Sequence, residues 1–473
     1  MTSSVQKRTG HATTVPPAEV EALGAGLRGR VLVSGQDGYD AARSVWNAMV
    51  DRHPDFIVRC MGAADAMAAV RFAVKHGLPI SVKGGGHNIA GSAVGEGGVM
   101  IDLSAMKEVR IDPFARRARV APGATLGDVD REAQAFALAV PSGINSTTGI
   151  AGLTLGGGFG WLTRPFGMTI DSLLSADVVT SQGELVHASA KENPELFWAL
   201  RGGGGNFGIV TSFEFALHPV GPQVFSGLVI HPFSEVRELL KAYRLVAAEA
   251  PDRFTIWSVM RKAPPLPFIP AEWHGREVLI FAACYAGDMA EGERAAAPLR
   301  RIGKPIADVM APHPFAGWQA AFDPLLTPGA RNYWKTHDFE TLPDDLIEVL
   351  ARGVAQLPGP ECEVFVAHVG GAMSGVAPDA TAYPGRAAHF IMNVHTRWRD
   401  AAQDGECIGW ARKLFNDTAP FATGGAYVNF MPDDEPGRVE KAYGGNYRRL
   451  SEVKQSWDPE NRFHINQNIR PYH

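Results

Sequence analysis

The apolar positions of the chain change their period at recognisable places. In DAMAAVRFAVKHG (65–77) they recur at helical spacing, and Gly77 stands where a C-cap belongs. LPISVK (78–83) is short, partly β-branched and bounded by Pro79 and glycine, which reads as a strand. A second unit follows: GGVMIDLSAM, then ARVAPG as a strand end, then TLGDVDREAQAFAL as a helix. Thr125 caps that helix, and Asp128 takes the place that a capping box gives Glu.

The rhythm changes near Pro219. From there to about Phe421 strand-like runs (VFSGLVI, REVLIFAACYA, CEVFVAHV, AHFIMNVHTRW) alternate with helical ones (SEVRELLKAYRLVAAEA, DDLIEVLARGVAQL). This predicts an antiparallel sheet covered by helices on one face, a second domain of an α+β fold. The tail, from GGAYVNFMPDD to INQNIRPYH, has a third rhythm and is expected to return to the first domain. The boundaries expected are an N-terminal segment at 1–48, a first domain at 49–220, a second at 221–421 and the returning tail at 422–473.

Composition narrows the class. The chain has 473 residues, 45% hydrophobic and 20% charged, an ordinary globular balance with room for two or three domains. Its net charge is -5 and no basic block stands out, which argues against nucleic acid as a partner. No run is long and apolar enough to cross a bilayer, and the polar start lacks a signal-peptide core. A cytoplasmic location is the expectation. The four cysteines are too scattered for a zinc site, so no metal is expected.

The glycines cluster at 84–86, 143–160 and 202–208. Such loops let backbone N–H groups approach a phosphate. Gly203, Gly205 and Gly208 have the G-x-G-x-x-G spacing, but a helical run precedes them and a strand-like run follows. A dinucleotide fingerprint needs the reverse order, so the Rossmann reading fails. GINSTTGIAGLTLGGGFG (143–160) holds seven glycines and the hydroxyl residues Ser146, Thr147 and Thr148, and reads as a tight loop around a phosphate-bearing ligand. A glycine-packed turn without a ligand is the alternative.

KGGGHN, PSGINSTTGIAGLTLGGGFGWLTRPFGMTID, NPELFWALRGGGGNFGIVT and YVNF…YGGNYRRLSEVKQSWDPENRFHINQNI follow one another in this order. Together they resemble the berberine bridge enzyme-like branch of the vanillyl-alcohol oxidase / p-cresol methylhydroxylase flavoproteins, from about Asp55 to Pro471. The resemblance implies a two-domain, PCMH-type FAD-binding fold closed by the C-terminal segment, with the middle segment binding substrate. His87 matches the family histidine that bonds the C8 methyl carbon of the isoalloxazine. Many relatives add a bond from a cysteine; the matching position here is Asn145, and no cysteine lies between Cys60 and Cys284. A single covalent link is therefore expected.

The resemblance also assigns cofactor contacts to Lys83, Gly84, Gly85, Gly86, Asn88 and Ser92. In the long loop it points to Gly143, Thr147, Thr148, Gly149, Gly152, Gly156, Gly157, Gly158, Gly160 and Trp161. Gly208, Ile209 and Val210 belong to the third cluster. Asn466 and Asn468 alternate in HINQNI and are expected to face the flavin. Thr148 falls near a position tied to oxygen access in the family, or else bonds its own loop backbone. Trp198 and Arg201 are expected to pack and position the loop.

Tyr427 matches the family's catalytic base. GGAYVNF is strand-like, and period-two alternation would place Tyr427 and Asn429 on one face, Val428 and Phe430 on the other. A phenol with pKa near 10 needs help to act as a base at neutral pH. Lys335, Tyr383, Arg386 and His395 are the polar candidates for the substrate side, each as readily structural. The expected reaction removes a proton from an alcohol, amine or activated C–H while hydride passes to flavin N5; O2 then reoxidises the flavin and gives H2O2. A dehydrogenase using another acceptor, or a non-catalytic flavin scaffold, are the alternatives. The missing signal peptide and second link lean away from extracellular oligosaccharides and toward a secondary metabolite or alkaloid. Monomer and homodimer stay open.

Overall fold

The computed structural model describes residues 15–472; most of the polar start read from the sequence lies outside them. The first predicted helix is Ala63–Lys75, and Gly77 beyond it takes a left-handed φ of 59°, the conformation that ends helices at glycine. Ile80–Lys83 pairs in parallel with Val99–Asp102, which pairs in parallel with Phe56–Arg59. Arg30–Leu32 adds an antiparallel edge. Gly84–Gly86 therefore leaves the carboxyl end of a parallel strand, where ligand crevices form in such sheets.

A second, antiparallel sheet runs in the order Val109–Asp112, Arg117–Val120, Ile209–Ala216, Leu173–Val179, Leu185–Ser189. The helix Leu126–Gln134 opens on the anticipated capping box: the Asp128 N–H donates to Thr125 Oγ1 (3.2 Å), and the Thr125 N–H to the Asp128 carboxylate (2.9 Å). The helix Pro194–Leu200 precedes the glycines at 203–208 and a strand follows them, the reversed order that excludes a Rossmann turn.

The large sheet has eight strands, all antiparallel. Six of its strands are Gln223–Pro232, Glu277–Tyr285, Phe254–Lys262, Glu363–His368, Phe390–Trp398 and Arg331–Phe339, in that spatial order, the last at the edge. Alternation sorts their side chains. Leu279, Phe281, Val364, Val366, Met392 and Val394 join the helices Val236–Glu249, Asp344–Val354 and Asp404–Thr418 in one core. Residues one step along, such as Trp257, Ala282, Phe365 and Ile391, belong to another cluster with Trp161 and Tyr427. Both faces are buried, so the strands read as nearly continuous apolar runs.

The tail packs on the first half. Val439, Tyr443, Leu450, Val453 and Ile469 share a core with Leu196, Phe207 and Phe213. The fully buried Lys454 ammonium fixes the join, donating to Asn206 O (2.7 Å), Asp458 Oδ2 (2.6 Å) and Phe463 O (3.0 Å). All three of its donors are satisfied, which a buried charge requires.

Two local readings change. The 143–160 stretch is not all loop: Ile150–Leu155 is a helix, since only Gly152 interrupts that apolar run. GGAYVNF is not a strand. Among the described residues it pairs with no strand, and Val428–Phe430 forms a single 3₁₀ turn against the strand Arg331–Phe339.

Candidate active site

A cavity of about 790 Å³ separates the glycine loops from the large sheet. Gly84, Gly85, Gly86, His87, Asn88 and Ser92 border it, and from the long loop so do Gly143, Asn145, Thr148, Gly149, Gly152 and Trp161. Gly208, Ile209, Val210 and Asn466 close one end. The two glycine loops meet backbone to backbone: a Cβ on Gly85 would stand 2.5 Å from Gly149 Cα, and one on Gly149 only 2.6 Å from Gly85 N. Gly152, by contrast, has nothing within 4 Å of where its Cβ would be. Among the described residues, none of the N–H groups of Gly85, Gly86, His87 and Asn88 donates to a protein acceptor. Gly86 adds a positive φ of 71°. Consecutive free N–H groups curled by a left-handed residue make an anion nest.

Other expected contacts act behind the surface. Lys83 does not border the cavity; its ammonium donates to Ala42 O and Ser44 O, 2.7 Å each, and holds the neighbouring loop. Gly156, Gly157, Gly158 and Gly160 are packing positions, where a Cβ would strike Asn429, Met168, Thr169 or the Ser142 carbonyl. Asn466 and Gln467 both border the cavity and Asn468 does not, because the tail here is irregular and has no period of two.

His87 is clamped. Trp46 stacks on its ring at 5.0 Å and 21°, and Thr147 Oγ1 lies 3.0 Å from Nε2. Thr147 is itself oriented by Asn145 Oδ1 at 2.6 Å. Desolvation brings the imidazole pKa down to about 4, so the ring is neutral and nucleophilic at pH 7. The side chain is thus held in one direction and one protonation state.

Tyr427 lies across the cavity, buried. Its phenolic oxygen accepts from Asn429 Nδ2 (3.0 Å) and the Gly158 N–H (3.1 Å). The 3₁₀ turn, not a strand face, brings Asn429 to it, and Gly156 leaves the space Asn429 fills. Phe430 also packs on Tyr427, at 4.8 Å, rather than pointing away. Burial pushes the phenol up to about 12, outweighing the two donors. Those donors stabilise a phenolate wherever a further positive field is present.

Of the substrate-side candidates only His395 borders the cavity. Lys335 lies on the other face of its strand and pairs with Glu435 (2.7 Å) and Asp434 (3.4 Å), while Trp334 faces the cavity. Arg386 makes a two-pronged bond to Asp171 (2.7 and 2.8 Å). Tyr383 packs behind Tyr427 and against Gly157 and Gly202. Alternation explains the first error and charge pairing the second. Trp46, Arg261, Glu363 and Asn393 border the cavity and were missed. The signal was available: Glu363 and Asn393 are polar residues beside the apolar runs VFVA and FIM of their strands.

An N–H nest, a glycine-lined groove and a neutral histidine at its edge fit a flat-ringed cofactor with an anionic pyrophosphate. They define a flavoprotein oxidoreductase site, and comparison with known proteins says which kind. Residues 54–189 match the FAD binding domain family, and residues 426–470 the berberine and berberine-like family. The FAD-linked oxidoreductase YgaK of Bacillus subtilis (strain 168) is 31% identical over 94% of this chain and 97% of its own. The (R)-6-hydroxynicotine oxidase of Paenarthrobacter nicotinovorans is 30% identical over 94% of this chain and 97% of its own. The crystal structure of 6-hydroxy-D-nicotine oxidase from Arthrobacter nicotinovorans superposes with a TM-score of 0.86 at 28% identity, covering 94% of this chain and 98% of that one. The chain belongs to the berberine bridge enzyme-like FAD-linked oxidoreductases. It is an enzyme with a PCMH-type α+β fold. Among the described residues no helix is long and apolar enough to cross a membrane.

Proposed function

We propose that the protein is an oxidase of a small molecule, that His87 forms its only covalent bond to FAD, and that Tyr427 is its catalytic base. The observation that carries the reading is the placement of a neutral, clamped His87 and a doubly hydrogen-bonded Tyr427 on one cavity. The 84–88 nest and the 143–152 segment hold the cofactor, with Gly208–Val210 and Asn466 at the other end. Asn145 keeps Thr147 on His87, so the position that carries a second link elsewhere serves the first link here. When bound, FAD supplies the two-electron acceptor, and O2 restores it with release of H2O2.

As the phenolate, Tyr427 would take a proton from the substrate's hydroxyl, amine or activated C–H. The Asn429 amide and the Gly158 N–H hold the charge on its oxygen, and burial excludes competing water. The 30% identity to an enzyme named an oxidase supports oxygen as the acceptor. A dehydrogenase would consume substrate with an artificial acceptor and form no peroxide in aerated buffer.

The test of attachment is direct. Acid-precipitated wild-type protein should carry flavin fluorescence in the pellet, and His87→Ala should carry none while still binding some FAD. Flavin left wholly in the wild-type supernatant, or found on a peptide without His87, overturns the assignment.

A further inference from the structure

One side-chain cluster in the cavity plays no part in holding cofactor or moving the proton. Arg261, Glu363 and His395 sit directly opposite one another on three adjacent strands. Arg261 Nη1 donates to Glu363 Oε2 (2.7 Å), and Glu363 Oε1 faces His395 Nδ1 (3.2 Å). Burial alone would raise the Glu363 carboxyl, but Arg261 and His395 outweigh it and bring its pKa to about 2. A carboxylate can only accept, so Nδ1 is the donor in that contact and Nε2 is the ring nitrogen left for another partner. His395 is 3% exposed, and its Nε2 has no partner among the described residues. Asn393, two residues back on the same face and fully buried, has both amide atoms unpaired.

The remainder of this wall is different in kind. Leu228, Ile230, Val259, Ile280 and Phe365 border the cavity with hydrocarbon alone, while Trp161, Trp257, Trp318 and Trp334 each add one indole N–H without a partner among the described residues. A molecule seated there meets a polar row at one edge, and elsewhere hydrocarbon and indole N–H groups that donate but cannot accept. Sugar rings carry hydroxyls around their whole perimeter, and most of their protons would be buried without an acceptor. Trp334 ties the row to the His87 end: its ring meets His395 at 4.5 Å and Trp46 at 5.8 Å.

We infer that the Arg261–Glu363–His395 row orients the substrate, and that the substrate is a neutral, mostly apolar ring system bearing one hydroxyl or similar hydrogen-bonding group, not an oligosaccharide. This rests on the cavity being the substrate site of the oxidase proposed above. An analogue without the hydroxyl proton leaves Nε2 unpaired and should bind about tenfold to a hundredfold more weakly.

The flavin-loaded protein is titrated with 2-naphthol, 2-methoxynaphthalene and cellobiose, following the perturbation of the flavin absorption and of tryptophan fluorescence. 2-Naphthol should bind at least about tenfold more tightly than its methyl ether, and cellobiose should not register at a hundredfold higher concentration. His395→Phe should abolish the preference for the hydroxyl, and His395→Gln should restore part of it. If His395→Phe does not fold, an unreduced preference in His395→Gln overturns the inference on its own. So does cellobiose binding as tightly as 2-naphthol, or a preference that survives His395→Phe. The oxidase reading fails separately: naphthol binding with no peroxide from any ring-bearing alcohol or amine sinks that reading and leaves the row in place.

Discussion

The cofactor wall of the cavity is made of backbone, whereas the opposite wall is made of side chains. On the first, Gly85 and Gly149 touch through main-chain atoms, and the free N–H groups of residues 85–88 present the polarity. On the second, the alternation of a buried sheet presents Trp257, Phe365 and His395 one by one. Backbone recognition needs particular glycines at particular places, so it leaves a strong mark in the sequence. Side-chain recognition uses whichever residue falls on the inner face, and its mark is faint.

The largest effect expected falls between the walls. Tyr427→Phe should slow anaerobic flavin reduction by about 10²- to 10⁴-fold, the usual worth of a placed acid or base, with flavin content unchanged. A loss below threefold in stopped-flow reduction would remove Tyr427 from the base role.

Two substitutions test whether the glycine wall is packing or ligand contact. Gly149→Ala drives a Cβ into Gly85 and should destabilise folding by about 1–3 kcal/mol, read by chemical denaturation. Gly152→Ala meets no protein atom, so it should fold normally and lose FAD occupancy instead. Equal losses of stability would mean that both are packing positions.

The smallest effect concerns the support beneath that wall. Gln319 Nε2 bonds Ser142, the Gly143 carbonyl and Asp130 at 3.0–3.3 Å. Desolvation raises the buried Asp130 carboxyl from 3.8 to about 7. Its protonated form is the one the fold prefers, so its contribution is complete below pH 3.8 and is lost as pH rises through 7. Asp130→Asn, neutral at every pH, should therefore gain a few degrees in Tm over wild type at pH 8 and less than half as much at pH 5. An equal gain at both pH values would exclude a titrating Asp130.

The same contrast explains what could be read in advance. The helix ending at Gly77, the Thr125 capping box and the reversed order around Gly203–Gly208 all follow from local rules, and each stands in the structure. The large sheet was legible as apolar runs between amphipathic helices. What was illegible depended on register. Lys335 and Trp334 are neighbours in sequence, and only the strand pairing says that the lysine turns to Glu435 and the tryptophan to the cavity. Tyr427 and Asn429 were brought together on a wrong premise, since a 3₁₀ turn and a strand both let residues two apart meet.

On the substrate site proposed above, alternation in the large sheet also divides labour between stability and selectivity. The helix-facing set, with Phe281, Val366 and Met392, belongs to one apolar cluster, while Trp257, Ala282 and Phe365 belong to another. A lineage can therefore rewrite which molecule it accepts by changing every second residue of a few strands, without disturbing the layer that keeps the enzyme folded. The sheet acts as an interchangeable mould set against a fixed catalytic frame.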